Sequence, residues 1–119
     1  MTSEILAERV ARNQSLFREQ NEWIAPSNSM HRAVSPLYAD WICECATEAC
    51  SVLVQLTVAE YETVRSDPTH FLVAPNEAHV AAGVESVVRR NERYWIVEKV
   101  GRAGEVSEKF DPRSREPVA

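Results

Sequence analysis

The sequence predicts an α+β fold, and three observations carry the prediction. A stretch without Gly or Pro at 3–24 has apolar residues at mostly helical spacing. Two runs rich in β-branched and aromatic residues flank a cysteine cluster within 38–56, and a second such pair lies within 84–100. With 119 residues, 45% hydrophobic and 26% charged, the chain suits one small domain, placed at 1–101. A flexible tail is expected at 102–119, where Gly104, Pro112 and Pro117 occur and large apolar residues are few.

The elements follow in order. Ile5, Leu6, Val10, Leu16, Phe17, Trp23 and Ile24 mark the long N-terminal helix, whose stripe is interrupted by Asn13, Gln20 and Asn21. Such a helix suits packing on a partner, or partial packing on its own domain. Pro26, Ser27, Asn28 and Ser29 end it, and a loop runs to Pro36. Strands are expected at 38–45 and 51–56, joined as a Cys-bearing β-hairpin. Thr57-Val-Ala-Glu60 is a capping box, so a short helix should run over 58–66 and stop before Pro68, with Tyr61 and Val64 facing inward. A short strand at 71–74 follows, then a loop with a helical turn near 78–82. Strands at 84–90 and 94–100, joined through Asn91-Glu92-Arg93, make the closing hairpin.

The chemistry sits in Trp41-Ile-Cys-Glu-Cys-Ala-Thr-Glu-Ala-Cys-Ser51, which holds all three cysteines. Residues two apart on a strand face the same way, so Cys43 and Cys45 project together, and Cys50 returns toward them across the turn. Three thiolates in one turn are most of a structural zinc site, for which a Cys3His set is a common solution. His79, in the loop after Pro75, is the expected fourth ligand, ahead of His70 and then His31. The competing reading is that the thiols are small core residues without a metal. In a reducing cytoplasm, the location expected for this chain, an odd number of clustered cysteines is poor material for a disulfide framework and reads as metal-binding or redox-active. The acidic first residues also lack the basic start of a signal peptide.

Other chemistry is sparse. Glu44 and Glu48 flank the thiols and could serve a zinc-bound water as general base, although charges solvated at a hairpin are the plainer expectation. A net charge of -5 argues against a general nucleic-acid binder, and no stretch has the roughly 20 apolar residues of a membrane span. Arg89, Arg90 and Arg93, beside Tyr94 and Trp95, form the one compact basic group, expected as a solvated hairpin tip. Phe17 and Trp23 are candidate anchors for a protein partner, with core packing as the alternative. With Gly83, Gly101 and Gly104 alone, no phosphate-binding glycine loop can be written.

The pattern Cys43-Glu-Cys45, Cys50, Leu56-Thr-Val-Ala-Glu-Tyr-Glu-Thr-Val-Arg65, Pro68, Phe71-Leu-Val73, His79, Tyr94 and Val97-Glu-Lys99 resembles a group of small uncharacterised bacterial proteins. Leu16-Phe-Arg-Glu19 and Asn21-Glu22 are similar to the end of their first helix. Members carry Gly-His after the proline, where this chain has Asn76-Glu-Ala-His79. The resemblance spans about residues 10–101, supports the architecture and the metal site, and brings no activity. The expected function is therefore that of a small zinc-binding protein with a structural Cys3His site, acting as an interaction or regulatory module. It would bind a protein partner or form a homo-oligomer. The alternatives are a thiolate redox sensor that releases zinc on oxidation, and a metal-dependent enzyme.

Overall fold

The helix expected at 3–24 runs further, as α1 (Ser3–His31), and passes through Pro26. The computed structural model of the protein describes residues 3–31, 38–47 and 50–114. Proline inside a helix removes one backbone donor and bends the chain, so tertiary contacts must hold the last turns. They do so on both sides of Pro26: Ile24 and Ala25 pack on the core, and the Asn28 amide donates to the Asp40 carbonyl at 3.1 Å. The end expected at 26–29 and the start of the loop after it are thus helix as far as His31, and the rest of the loop expected up to Pro36 falls on residues 32–36, outside the described residues.

Two antiparallel sheets follow. β1 (Ala39–Ile42) pairs with β2 (Leu53–Leu56), with Trp41 opposite Val54. β3 (His70–Val73), β4 (Glu85–Arg90) and β5 (Trp95–Lys99) form the second sheet in the order β3-β5-β4. Between the sheets lies α2 (Val58–Arg65), and its start is the capping box read from the sequence. The Glu60 amide donates to the Thr57 hydroxyl oxygen at 3.0 Å, and the Thr57 amide donates to the Glu60 carboxylate at 2.8 Å. The core lies where α2 faces the sheets: Trp41 stacks on Tyr61 with ring centroids 3.9 Å apart, among Leu56, Val64, Phe71, Leu72 and Val97.

The expected tail differs from its first residues. Gly101, at φ +56°, turns the chain directly from β5 into α3 (Gly101–Lys109), a helix that lies against α1. A helix contact built on small residues needs no large apolar side chains, which is why composition concealed it. Ala103, Val106, Ala11 and Ala7 make this contact. A Cβ on Gly104 would come within 3.0 Å of the Lys99 carbonyl oxygen, so the approach is tight. Arg113, in the following short 3-10 turn, is held by Glu22 of α1 and Glu62 of α2 at 2.5 and 2.6 Å. Residues 115–119 lie outside the described residues.

The inner face of α1 is polar. Gln14, Arg18 and Asn21 are fully buried at helical spacing, while Leu16 and Trp23 are 59% and 80% exposed. These polar side chains satisfy backbone groups at the end of β1 and just beyond it, in the turn before β3 and in α3, as buried peptide groups require. The Asn21 amide donates to the Ile42 carbonyl and accepts from the Ile42 amide, both at 2.8 Å, and so stands in for a neighbouring strand. Gln14 donates to the Glu44 carbonyl at 2.9 Å, and Arg18 to the carbonyls of Pro68 and Ser107. Below them Lys99 pairs with Glu85, both side chains fully buried.

The basic group near the closing hairpin is tied down as well. Arg93 binds both oxygens of Glu60, at 2.8 and 2.6 Å, and lies over the Tyr38 ring, whereas Arg90 lies over Trp95 and beside Glu77. The Arg93 hydrogen bonds hold the Glu60 carboxyl down at about 2. A carboxylate depressed in the folded state stabilises above its free pKa near 4.5 and loses that contribution as pH falls toward 2. Glu60→Gln, which keeps the capping box but loses the charge, is therefore expected to cost about 0.5–1 kcal/mol at neutral pH, because the pair is partly exposed to solvent. The gap between variant and wild type in urea melts should close between pH 4.5 and 2. A gap independent of pH would remove the ion pair from the explanation.

Candidate metal centre

Four side chains from three separated pieces of chain converge at the junction of the sheets. Cys43 and Cys45 follow β1, Cys50 precedes β2, and His79 ends a 3-10 turn (Glu77–His79) between β3 and β4. The potential ligand atoms of Cys43, Cys45, Cys50 and His79 all lie within 4.8 Å of one another, so the group could hold a metal ion. His79 Nδ1 is 3.6 Å from Cys43 Sγ and 3.8 Å from Cys50 Sγ. Tetrahedral zinc with bonds of about 2.3 Å to sulfur and about 2.0 Å to nitrogen sets such ligand atoms roughly 3.5–3.8 Å apart.

Local structure explains the convergence. Strand β1 ends at Ile42, earlier than expected, yet the chain stays extended: the Cys43 amide donates to the Val52 carbonyl and the Glu44 amide to the Leu72 carbonyl. The segment thus leaves one sheet and joins the other, with alternate side chains on opposite sides. Cys43 and Cys45 face His79. Glu44 points the other way, into the polar interior, where its carboxylate accepts from Asn21 at 2.7 Å and from the Leu72 amide at 3.1 Å. Beyond the cysteines, the Cys50 amide donates to the Thr47 carbonyl at 3.0 Å and closes the turn. The Asn76 side chain caps the 3-10 turn that presents His79.

The electrostatics suit a cation. Cys43 and Cys45 are 0% and 1% exposed and Cys50 is half-buried. Burial pushes the Cys43 and Cys45 thiols up, opposed at Cys43 by the Ala74 amide, which donates to its sulfur at 3.2 Å, and at Cys45 by a backbone hydrogen bond from Thr47. Amide donors aimed at buried sulfur favour the thiolate, and a metal ion supplies the charge that burial otherwise denies it.

Of the histidines whose side chains are described, His79 is the one brought to the cysteines. His70 lies at the start of β3 with Asp67 and Glu98 at 3.4 and 3.6 Å, and the His31 side chain is outside the described residues. Glu44 departs from its expected place as a hairpin charge: it is fully buried, and burial raises its pKa against the pull of Arg65 and Asn21. It faces away from the thiols and cannot serve a metal-bound water. Glu48 lies outside the described residues. Phe17 is half-buried and Trp23 stands exposed on the outer side of α1. The residues that sequence reasoning missed are Gln14, Arg18 and Asn21, whose three- and four-residue spacing was the available signal. Comparison with family models, with curated proteins and with solved structures found no match in any of the three.

Proposed function

We propose that the protein is a small zinc-binding protein of the cytoplasm whose Cys43, Cys45, Cys50 and His79 hold a structural zinc ion, and that it acts as a protein-interaction module. The observation that carries this reading is the convergence of four soft or borderline ligands, from three separated segments, within 4.8 Å. Thiolate and imidazole together favour zinc over hard cations such as magnesium or calcium, which take oxygen ligands. Four protein ligands also complete a tetrahedron and leave no position for a catalytic water, so the structural role is preferred to an enzymatic one. The buried state of Cys43 and Cys45 favours slow thiol chemistry over redox sensing.

Elemental analysis of untagged protein purified anaerobically tests the reading. One zinc per chain is expected, with Cys45→Ser and His79→Ala each lowering zinc affinity at least tenfold, since the loss of an outer-shell partner alone costs a metal site about 10–100-fold. Wild-type protein without bound metal, or His79→Ala protein with full zinc, would overturn the Cys3His assignment. Rapid zinc release by mild peroxide, reversed on reduction, would favour the sensor instead.

A further inference from the structure

The outward side of α1 carries a second seam, separate from the metal centre. Arg9, Arg12, Leu16, Glu19 and Trp23 are all exposed. They recur at alternating spacings of three and four residues, which on an α-helix gathers them into a sector of about 80° opposite the buried Gln14, Arg18 and Asn21. This is the spacing by which one helix packs along another. Three shallow hollows of about 330, 260 and 300 Å³ run along the seam: the first is bordered by Arg9 and Arg12, the second by Leu16 and Phe110, the third by Glu19, Trp23 and Pro26.

The order along the seam is basic, then apolar, then acidic with an aromatic. Reversed end to end, that pattern complements itself. Among the described residues Arg9 and Glu19 make no ion pair, and Arg12 has Glu8 at 3.4 Å on the exposed surface and lies 5.4 Å from the Phe110 ring centroid. We propose that α1 is a homodimerisation helix that pairs antiparallel with α1 of a second copy, about a two-fold axis passing near Ser15 and Leu16. In that arrangement Arg12 stands opposite Glu19 of the second copy, and Arg9 lies beside its Trp23, each contact occurring twice by symmetry. The Leu16 side chains meet near the axis, flanked by Phe110. Parallel pairing in register would set Arg12 against Arg12 and Glu19 against Glu19, and like charges reject it. An exposed Trp beside a cation provides the anchor such interfaces commonly use.

Sedimentation equilibrium of the untagged, metal-loaded full chain tests this without depending on which metal is bound. The wild type is expected to dimerise reversibly. Arg12→Glu alone and Glu19→Arg alone should each weaken the dimer about tenfold or more, and the double variant should regain most of the affinity because the charges are only exchanged. Trp23→Ala should weaken it by a similar factor. Thermal melts of dilute protein keep the variants interpretable, since all three side chains are exposed and monomer stability should hold. A wild type that stays monomeric at high micromolar concentration overturns the proposal. So does a dimer indifferent to these substitutions, or one that the double charge exchange fails to restore.

Discussion

Removal of zinc from the proposed Cys3His site by a strong chelator is expected to abolish the cooperative thermal transition of the protein, and Cys45→Ser should do the same in the presence of zinc. The site ties the β1-β2 hairpin to the turn before β4, so its loss frees the junction on which the core around Trp41 is assembled. Structural zinc contributes on the order of 10–16 kcal/mol to the folding of small finger peptides. A domain of this size has a total stability of about 5–15 kcal/mol. Even a fraction of the zinc contribution would move the midpoint far, at about 4–8 °C per kcal/mol. The near-ultraviolet circular dichroism of the stacked Trp41 and Tyr61 reports the loss directly. Re-added zinc should restore the wild type and leave Cys45→Ser unfolded. Apoprotein that melts at the holoprotein temperature would show that the four residues do not bear on folding.

Arg18→Ala is expected to be the most damaging substitution away from the candidate metal centre, at about 3–5 kcal/mol, because it leaves two carbonyls without their donor and opens a cavity where a large buried side chain stood. Arg18 is fully buried, with its pKa lowered to about 10 by burial and by the nearby Arg65 charge, so it remains protonated at neutral pH. It joins three elements at once: it donates to the Pro68 carbonyl before β3 and to the Ser107 carbonyl of α3, and lies 4.3 Å from the Phe71 ring centroid. Deletion leaves two carbonyls without their donor, removes a cation that offsets Glu44, and opens a cavity. Arg18→Lys should recover little, since a single ammonium cannot span both carbonyls as the guanidinium fork does. Urea denaturation measures both variants. A cost for Arg18→Ala below about 1 kcal/mol would mean that the network relaxes or admits water freely.

Glu44 connects the two predictions. It sits between two of the proposed metal ligands in sequence, yet its carboxylate belongs to the polar interior that Arg18 and Asn21 supply. The Cys-Glu-Cys segment therefore presents its thiols to the metal centre on one side and anchors α1 on the other. Each side depends on the extended backbone that lies between the two sheets.

Much of this was legible in the residues themselves. The cysteine cluster, the histidine that meets it, the Thr57–Glu60 capping box, the inward Tyr61 and Val64 and both hairpins are short-range patterns, set by ligand chemistry, by the helix start and by strand alternation. Other features needed the assembled molecule. Hydrophobic periodicity marked a stripe on α1 that includes Leu16 and Trp23, both of which are exposed, whereas the side buried in its own domain carries Gln14, Arg18 and Asn21. Composition hid α3, whose contact with α1 depends on small side chains. It also left Glu44 on the surface. Patterns in sequence report the preference of a side chain for water, but the inner face of α1 and the place of Glu44 were decided by backbone donors and acceptors of β1, the turn before β3 and α3, which come within reach only in the assembled molecule.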